Sequence, residues 1–407
     1  MEKMKPKIRF DGFSDEWKRK KLSEFLETSE ERNLDGTYTK EDVFSVSGDF
    51  GVVNQIAFQG RSFAGASVLG YGVVKPGDVV YTKSPLKLNP YGIIKANKGD
   101  AGIVSVLYGV YHPKDDTDPN FVQCYFESDH RLNCYLAPIV NKGAKNTILV
   151  SDEDALLGNV IFPNRAEQTK ITECLTRLDE SIDAKKKKYE KLLILKKSML
   201  EKLFPKDDSG VPEIRFKGFD DLWQKRKLEE IVMPYSDPVP TPDKGYYRLG
   251  IRSHGKGTFH SYVKPGMELE TAQMHKVAAD NLIVNITFAW EHAVAVTNEE
   301  DAGKLVSHRF PQFSFNTGMV PGFFKFSVLD DNFRHHLWLS SPGGAGRNRV
   351  LKVDEMLQYS FWVPASIQEQ QKIAAYLENL DRLIFLQQQK LEKLKTLKKA
   401  LLEKMFV

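Results

Sequence analysis

The sequence has 407 residues, of which 41 % are hydrophobic and 28 % charged, and its formal net charge is +4. This length exceeds one ordinary hydrophobic core and predicts two or three soluble, globular domains. No apolar run approaches the ~20 residues of a membrane span, the N-terminal segment lacks the apolar stretch of a signal peptide, and the three cysteines have no metal-binding spacing. We therefore expect a cytoplasmic protein that does not associate with a membrane.

The first element along the chain is an opening segment that occurs twice. Residues 6–25, PKIRFDGFSDEWKRKKLSEF, match residues 212–231, PEIRFKGFDDLWQKRKLEEI, with 11 identities in 20 positions. The two copies are 206 residues apart. This period is far longer than the roughly 20–50 residues of a solenoid repeat, so it indicates a duplicated domain.

The region after each opening segment predicts short strands. GVVKPGDVVYTKSP (72–85) and GIIKANKGDAGIVSVLYGVYH (92–112) are apolar runs broken by Gly, Pro and Asn, and DNLIVNITFAWEHAVAVT (280–297) continues the pattern in the second half. Only weak similarity connects these middle regions. We predict two α+β domains, each with a strongly bent sheet.

Each half then ends in a long helix. Residues 167–204 match residues 369–406 with 19 identities in 38 positions. Apolar residues recur in alternating steps of four and three, which is the seam of a coiled coil. The seam residues are Ile171, Leu175, Leu178, Ile182 and Leu192 in the first helix, and Ile373, Leu377, Leu380, Ile384 and Leu394 in the second. Two matched seams in one chain favour pairing with each other, along about 57 Å for 38 residues. We expect this pairing to be antiparallel, because a two-fold relation between the tandem halves places their variable domains at opposite ends.

The basic charge is concentrated in these helices. Residues 185–202 carry a net charge of +6 and residues 390–404 a net charge of +4, so the remaining residues sum to −6. The predicted order is a pseudo-two-fold tandem repeat of variable domain and helix. The four predicted segments are residues 1–164, 165–206, 207–366 and 367–407.

Two short motifs invite an enzymatic interpretation, and neither is complete. GIRSHGKG (250–257) has the glycines and lysine of a phosphate-binding loop, but Gly257 stands where Ser or Thr would bind magnesium. SPLKLNPYG (84–92) has one proline where the Asn-Pro-Pro-Tyr loop of adenine methyltransferases has two, and no glycine-rich cofactor turn accompanies it. The nine histidines show no metal spacing. We therefore predict no catalytic residue and no metal site.

Basic residues beside glycines are the better candidates for a binding surface. Glycine lets the backbone approach a ligand closely, Arg and Asn can read base edges, and Lys can hold phosphates. A solvated turn is the alternative interpretation. The candidate residues are Lys142, Lys145 and Asn146 in NKGAKNTIL, Arg252, His254 and Lys256 at a predicted hairpin tip, and Arg347, Asn348 and Arg349 in SPGGAGRNRV.

Taken together, these features resemble the DNA-specificity subunit of Type I restriction–modification systems, over the whole chain. The most specific likenesses are EQTKI…LTRLDESI…KKSMLEKLF and EQQKI…LENLDRLI…KKALLEKMF, with the openers IRFDGF…W and IRFKGF…W. The resemblance implies two target-recognition domains, each reading one half of a split, asymmetric site in double-stranded DNA. It also implies that the paired helices set the spacing between the halves.

The resemblance further implies the partners. Two modification subunits would dock on the chain and methylate adenine with S-adenosylmethionine, and restriction subunits would cleave unmodified DNA with ATP and magnesium. The chain itself would be non-catalytic and without a cofactor. Two other classes stay open from the residues alone: a self-contained nuclease or methyltransferase, and a scaffold whose variable domains bind protein.

Overall fold

The computed structural model describes residues 4–143, 148–206, 208–268, 273–343 and 349–407. The chain divides into two compact units. The first unit consists of residues 1–186 and 389–407, and the second unit consists of residues 187–388. The last residues of the chain therefore belong to the same unit as the first residues.

Short strands dominate the described part of the first unit. Its strands are β1 Lys18–Lys21, β2 Leu26–Thr28, β3 Phe44–Ser47, β4 Gly51–Asn54, β5 Gly72–Val74, β6 Val79–Thr82, β7 Ile93–Ala96, β8 Gly102–Val104, β9 Tyr108–Pro113, β10 Asn141–Lys142, β11 Ile148–Leu149 and β12 Asn159–Phe162. Its helices are α1 Gln55–Gln59, α2 Pro119–Phe126, α3 Asp129–Leu136 and the first part of α4 Arg165–Lys202.

The second unit has the same order of elements at its two ends and a different middle. Its strands are β13 Gln224–Lys227, β14 Val232–Tyr235, β15 Pro238–Pro240, β16 Tyr246–Ile251, β17 Thr258–Val263, β18 Gln273–Lys276, β19 Asn281–Val284, β20 Val294–Val296, β21 Leu305–Val306, β22 Gln312–Phe315 and β23 Ser360–Val363. Its helices are α5 Leu228–Ile231, α6 Pro321–Ser327, α7 Asp331–Leu339, α8 Val353–Leu357 and the first part of α9 Ile367–Lys404.

One antiparallel sheet has the same strand order in both units. In the described residues it runs β2-β9-β6-β7 in the first unit and β14-β22-β19-β20 in the second. The middles differ around it. The first unit adds the separate pairs β3–β4 and β5–β8, whereas the second adds a five-stranded sheet, β15-β18-β21-β16-β17. The two units therefore share one sheet and differ in the strands added to it, which corresponds to the similar ends and dissimilar middles of the two sequence halves. The mixture of helices and antiparallel sheets confirms the predicted α+β class.

A buried ion pair connects the opening segment of each unit to the start of its long helix. The Arg9 guanidinium donates to both carboxylate oxygens of Glu167 at 2.7 Å, and Arg215 does the same to Glu369 at 2.7 and 2.8 Å. Glu167 is 0 % and Glu369 1 % exposed. Bidentate geometry of this kind gives strong, directional hydrogen bonds. Both members of each pair come from repeated motifs, so the two repeated segments are contact partners.

The glutamine that follows each glutamate connects the long helix to the start of a short helix that lies earlier in the same unit. The Oε1 of Gln168 accepts from the Asp118 N–H at 2.9 Å, and the Oε1 of Gln370 accepts from the Val320 N–H at 2.9 Å. Asp118 and Val320 precede the first turns of α2 and α6, whose free N–H groups need partners. The Glu-Gln pair therefore positions two elements of each unit.

An aromatic cluster completes the frame. In each unit a tryptophan of the opening segment meets a phenylalanine from a short helix and a phenylalanine just beyond the end of a long helix. The rings are those of Trp17, Phe121 and Phe406 in the first unit and Trp223, Phe323 and Phe204 in the second. The two phenylalanine centroids lie 5.4 Å apart in both. In each unit, the repeat KKSMLEKLF or KKALLEKMF thus packs on an opening segment.

The two long helices pack together antiparallel in each unit. In the first unit Leu175 of α4 shares a core with Met405, and Asp179, further along α4, binds Lys398 at 2.8 Å. Residue numbers thus rise along α4 while those of the partners on the α9 side fall, as in an antiparallel pair. In the second unit Lys196 binds Asp381 at 2.5 Å and Leu203 shares a core with Ile373. This confirms the predicted antiparallel helix pair. The α4–α9 pairing buries apolar side chains, which is the main stabilising force of such helices.

The predicted seam residues vary in burial. Five are buried: Ile171, Leu175, Ile373, Leu377 and Leu380. The other five are half-buried: Leu178, Ile182, Leu192, Ile384 and Leu394.

Within the described ranges, no helix is long and apolar enough to cross a membrane.

Candidate nucleic-acid interface

In each unit, loops from the central strands of the shared sheet meet at one end of that sheet. In the first unit, the loop after β6 and the loop before β9 are joined by a bond from the Lys83 N–H to the Leu107 carbonyl at 2.9 Å. In the second unit, the loops after β19 and before β22 are joined by a bond from the Ile286 N–H to the Arg309 carbonyl at 3.0 Å. The same frame therefore presents two different loop pairs.

The loop cluster of the first unit has a basic and apolar character. Lys142 is exposed and its ammonium lies 4.7 Å from the centroid of the Tyr91 ring. The Lys83 ammonium binds the Asp152 carboxylate at 2.8 Å. Several apolar side chains of these loops are exposed, namely Leu86, Leu88, Val106 and Leu107. Such side chains can contact thymine methyl groups, as cations can contact phosphates.

The loop after β19 is the centre of the corresponding cluster in the second unit. Its backbone binds the tip of the β16–β17 hairpin, because the N–H groups of His254 and Gly255 donate to the carbonyls of Glu291 and His292 at 2.8 and 3.0 Å. His254 and His292 both have positive φ, 64° and 63°. Such backbone costs about 1–3 kcal/mol and persists where the surrounding structure holds it, often at functional sites.

Burial gives the two histidines different properties. His254 is exposed at the hairpin tip. His292 is buried and its Nε2 lies 2.7 Å from the Val328 carbonyl, which accepts a hydrogen bond from it. Burial lowers the pKa of His292. Because the neutral ring is favoured there, His292 supports the loop and His254 is the histidine available to a ligand.

The hairpin tip carries the predicted cations. Arg252 and Lys256 are exposed, and the Arg252 guanidinium donates to the Thr258 carbonyl and lies 5.2 Å from the centroid of the Phe259 ring. Glycines with positive φ at Gly255 and Gly257 form the turn. The prediction of a hairpin in place of a nucleotide-binding loop is confirmed, since β17 is a strand where such a loop requires a helix.

The described residues that follow the third predicted loop bind the β19 loop. The Leu351 N–H donates to the Ile286 carbonyl at 2.8 Å, and Arg349, two residues earlier, lies 4.7 Å from the Trp338 ring centroid. Arg349 is half-buried and its guanidinium also donates to the Ser341 carbonyl at 3.4 Å. Leu351 and the hairpin tip thus both bind the backbone of the β19 loop.

Four of the nine predicted contact residues, Lys145, Asn146, Arg347 and Asn348, lie outside the described residues. Contact of any of the nine with DNA stays a prediction. Arg248, Asn285 and Glu291 line a cleft beside the β19 loop, and none of them is among the nine predicted contact residues. The sequence signal for Arg248 is a basic residue in the strand-like run YYRLGI. Residues 288–292, which include Glu291, are the alternative reading surface if the predicted loops do not face DNA, whereas Asn285 has no sequence signal. In the described part of the chain, no cluster of three or more His, Cys, Asp or Glu has the arrangement of a metal site.

The sequence and the structure were compared with known protein families and solved structures. No family model matches the sequence. The structure is similar to the crystal structure of a Type-I restriction-modification system S subunit from M. genitalium, with 13 % identity, coverage of 99 % of each chain and a TM-score of 0.59. The HsdS subunit from Thermoanaerobacter tengcongensis matches with 13 % identity, 96 % coverage of each chain and a TM-score of 0.45.

A third similar structure was solved to explain complex assembly and conformational transition of the type I R-M system. It has 15 % identity, coverage of 96 % of this chain and 97 % of the other, and a TM-score of 0.46. The M. genitalium likeness shows that this chain has the fold of a Type I S subunit along nearly its whole length.

Proposed function

We propose that this chain is the DNA-specificity subunit of a Type I restriction–modification complex, and that each unit reads one half of a split site in double-stranded DNA. The observation that carries the proposal is the repeated frame with unlike loops at the same end of the shared sheet. Base readout depends on the side chains and the local geometry of the loops. Two units with the same frame and different loops can therefore recognise two different base sequences.

The charge distribution supports a shared task between the chain and its partners. Outside the basic helical segments the chain is net negative. Because phosphate contacts usually dominate DNA affinity, local cations of the loops such as Arg252 and Lys256 bind phosphates and position the base-reading side chains. The partners that dock on the chain supply part of the phosphate binding. We propose that these are two modification subunits that methylate adenine with S-adenosylmethionine, and restriction subunits that use ATP and magnesium.

The long helices offer a surface for such partners. Ile194 on α4 is 69 % exposed and Phe385 on α9 is 58 % exposed, and both lie in the second unit. Further exposed apolar residues of these helices in the second unit are Leu193, Leu195, Leu383 and Leu386. Exposed apolar residues close together along a helix are candidates for an interaction site, and aromatic residues dominate binding energy at such sites.

Substitution of this surface tests the docking proposal. Ile194→Glu and Phe385→Glu together should weaken co-purification of the modification subunit about tenfold or more, because charged side chains replace apolar contacts. Gln388→Glu adds the same charge at an exposed polar position of α9 and should change nothing. The thermal unfolding of the chain alone should be unaltered by all three. Undiminished co-purification of the double variant would place docking elsewhere.

The proposed function is tested by mapping methylated adenines across the genome in cells with and without this gene. We expect a bipartite motif that disappears with the gene. Exchange of residues 26–160 for those of another S subunit should then change one half of the motif and leave the other half intact. A scaffold or a self-contained enzyme predicts different outcomes: no gene-dependent motif in the first case, and methylation or cleavage by the purified chain alone in the second.

A further inference from the structure

A cleft of about 340 Å³ lies beside the β19 loop in the second unit. Two aromatic rings, Phe259 and Phe288, line it and are 40 % and 41 % exposed. Its polar lining includes Arg248, Asn285 and Glu291. This volume is at the lower end of the roughly 300–1,000 Å³ that small-ligand sites occupy. Apolar faces with a few convergent polar groups are the usual composition of a binding site.

The polar groups of the cleft are oriented by their neighbours. The Ser253 hydroxyl donates to Oε2 of Glu291 at 2.6 Å, which holds this carboxylate beside the cleft. The Oδ1 of Asn285 accepts from the N–H and the hydroxyl of Thr287 at 3.1 and 2.7 Å. Because its carbonyl oxygen is already occupied, the Asn285 amide presents its donor side. Preorganised groups of this kind lose little freedom when they bind a ligand.

Arg248 supplies the complementary donor. Its side chain is half-buried in the cleft wall on β16. Among the residues that the structure describes, Arg248 makes no ion pair within 4.0 Å, and neither does Glu291. The cleft beside the β19 loop therefore contains one carboxylate acceptor, Glu291, and one guanidinium donor, Arg248, that do not form an ion pair with each other. Such a pair of groups is suited to a ligand that has a donor edge beside an acceptor edge.

We propose that this cleft reads one C·G base pair in the second half of the DNA target, with Glu291 accepting from the cytosine amino group and Arg248 donating to guanine. The proposal rests on the proposed DNA-specificity function and names the residues that carry it in one unit. Carboxylates accept from cytosine N4, and Arg donates two bonds to guanine O6 and N7 in the major groove. Phe259 and Phe288 pack against the pyrimidine edge, and the cations of the hairpin tip hold the adjacent phosphates.

The equivalent place in the first unit has different chemistry, which makes the readout specific to one half-site. Lys83 is the first residue after β6, as Asn285 is the first residue after β19. The Lys83 ammonium is paired with the Asp152 carboxylate at 2.8 Å. The side chains of Lys83 and Asp152 are only 16 % and 20 % exposed, so each charge is largely covered and is neutralised by its partner. Changes at Glu291 or Arg248 should therefore alter the second half-site alone.

The test is Glu291→Gln, assayed by genome-wide methylation and by competition binding of the complex with its modification subunits to single-base variants. Gln still accepts from Ser253, so the loop is retained, but its amide prefers adenine to cytosine. We expect preference at one position of the second half-site to shift from C·G towards A·T, with at least about a tenfold loss of discrimination. The first half of the motif should not change.

Two further variants keep the test decisive. Glu299→Gln makes the same change of charge at an exposed turn outside the cleft and should preserve the motif. Gly250→Ala places a Cβ 2.4 Å from the Phe259 ring, so it displaces that ring without removing a polar group, and it should relax the same base position. An unchanged motif in both Glu291→Gln and Gly250→Ala, or a second half-site without a C·G pair, overturns the cleft proposal. Absence of any gene-dependent motif with the wild-type chain instead overturns the proposed function.

Discussion

Replacement of Arg9 by methionine is expected to destabilise the first unit by about 3–5 kcal/mol, because it leaves the Glu167 carboxylate buried without its partner. Glu167 is 0 % exposed and accepts two hydrogen bonds from Arg9 at 2.7 Å. Since the chain has two units, a single unfolding curve does not separate them. Hydrogen exchange measured by mass spectrometry should show faster exchange of peptides from residues 8–25 and 165–180, with the second unit unaltered.

The chain contains a matched control for this experiment. Arg215→Met breaks the equivalent pair in the second unit, but there the Trp223 indole N–H also donates to Glu369 at 3.3 Å. The loss should therefore be smaller than in the first unit, where the Trp17 indole has no hydrogen-bond partner among the described residues. Arg9→Met combined with Glu167→Met should recover most of the stability, since a buried ion pair is often replaceable by apolar side chains. Equal losses for Arg9→Met and the double variant would contradict this account.

The substitution Phe406→Ala is expected to cost the first unit about 3–5 kcal/mol, the usual range for truncation of a buried phenylalanine. Phe406 is 4 % exposed, and its ring lies 5.4 Å from that of Phe121 and 6.4 Å from that of Trp17. The Arg131 guanidinium also lies 4.9 Å from the Phe406 centroid. Trp17 is a direct reporter, because it is the one tryptophan in residues 1–186 and 389–407. Its emission should shift to longer wavelength at lower denaturant concentration than in the wild type.

The equivalent change, Phe204→Ala, should loosen the second unit in the same way and leave Trp17 unaffected. Phe204 meets Phe323 at 5.4 Å and Trp223 at 6.1 Å. The comparison therefore tests whether each helix end stabilises the unit in which it packs. If Phe406→Ala left the emission of Trp17 and the exchange of residues 8–25 unchanged, the last residues would not be part of the first unit's core.

Periodicity and repetition are visible in one dimension, and they predicted the helices well. Heptad spacing depends only on side-chain direction along a helix, so it predicted α4 and α9 and their pairing. The antiparallel direction was predicted from the two-fold relation between the repeated halves. The repeat likewise predicted two similar halves. Neither pattern predicted why the repeated segments match. The structure shows that Arg9 binds Glu167 across 158 positions, and that Phe406 packs on Trp17.

The candidate interface divides in the same way. Glycines and cations close together in sequence predicted the hairpin tip with Arg252, His254 and Lys256, because a turn is a local structure. The cleft was not predictable by this route. Its groups come from positions 248, 259, 285, 288 and 291, and hydrogen bonds between separate loops bring them together.

The sequence by itself determined the two-fold repetition, the long paired helices, the variable α+β middles and the resemblance to a specificity subunit. The repetition, the helices and the variable middles follow from composition and spacing within one segment or between two similar ones, whereas the resemblance rests on the motifs of the openers and the helices. Only the tertiary structure decided that residues 389–407 complete the first unit and that Arg248 and Glu291 line one cleft. The physical reason is that burial and loop-to-loop hydrogen bonds are made between residues far apart in the chain, where sequence spacing contains no distance information.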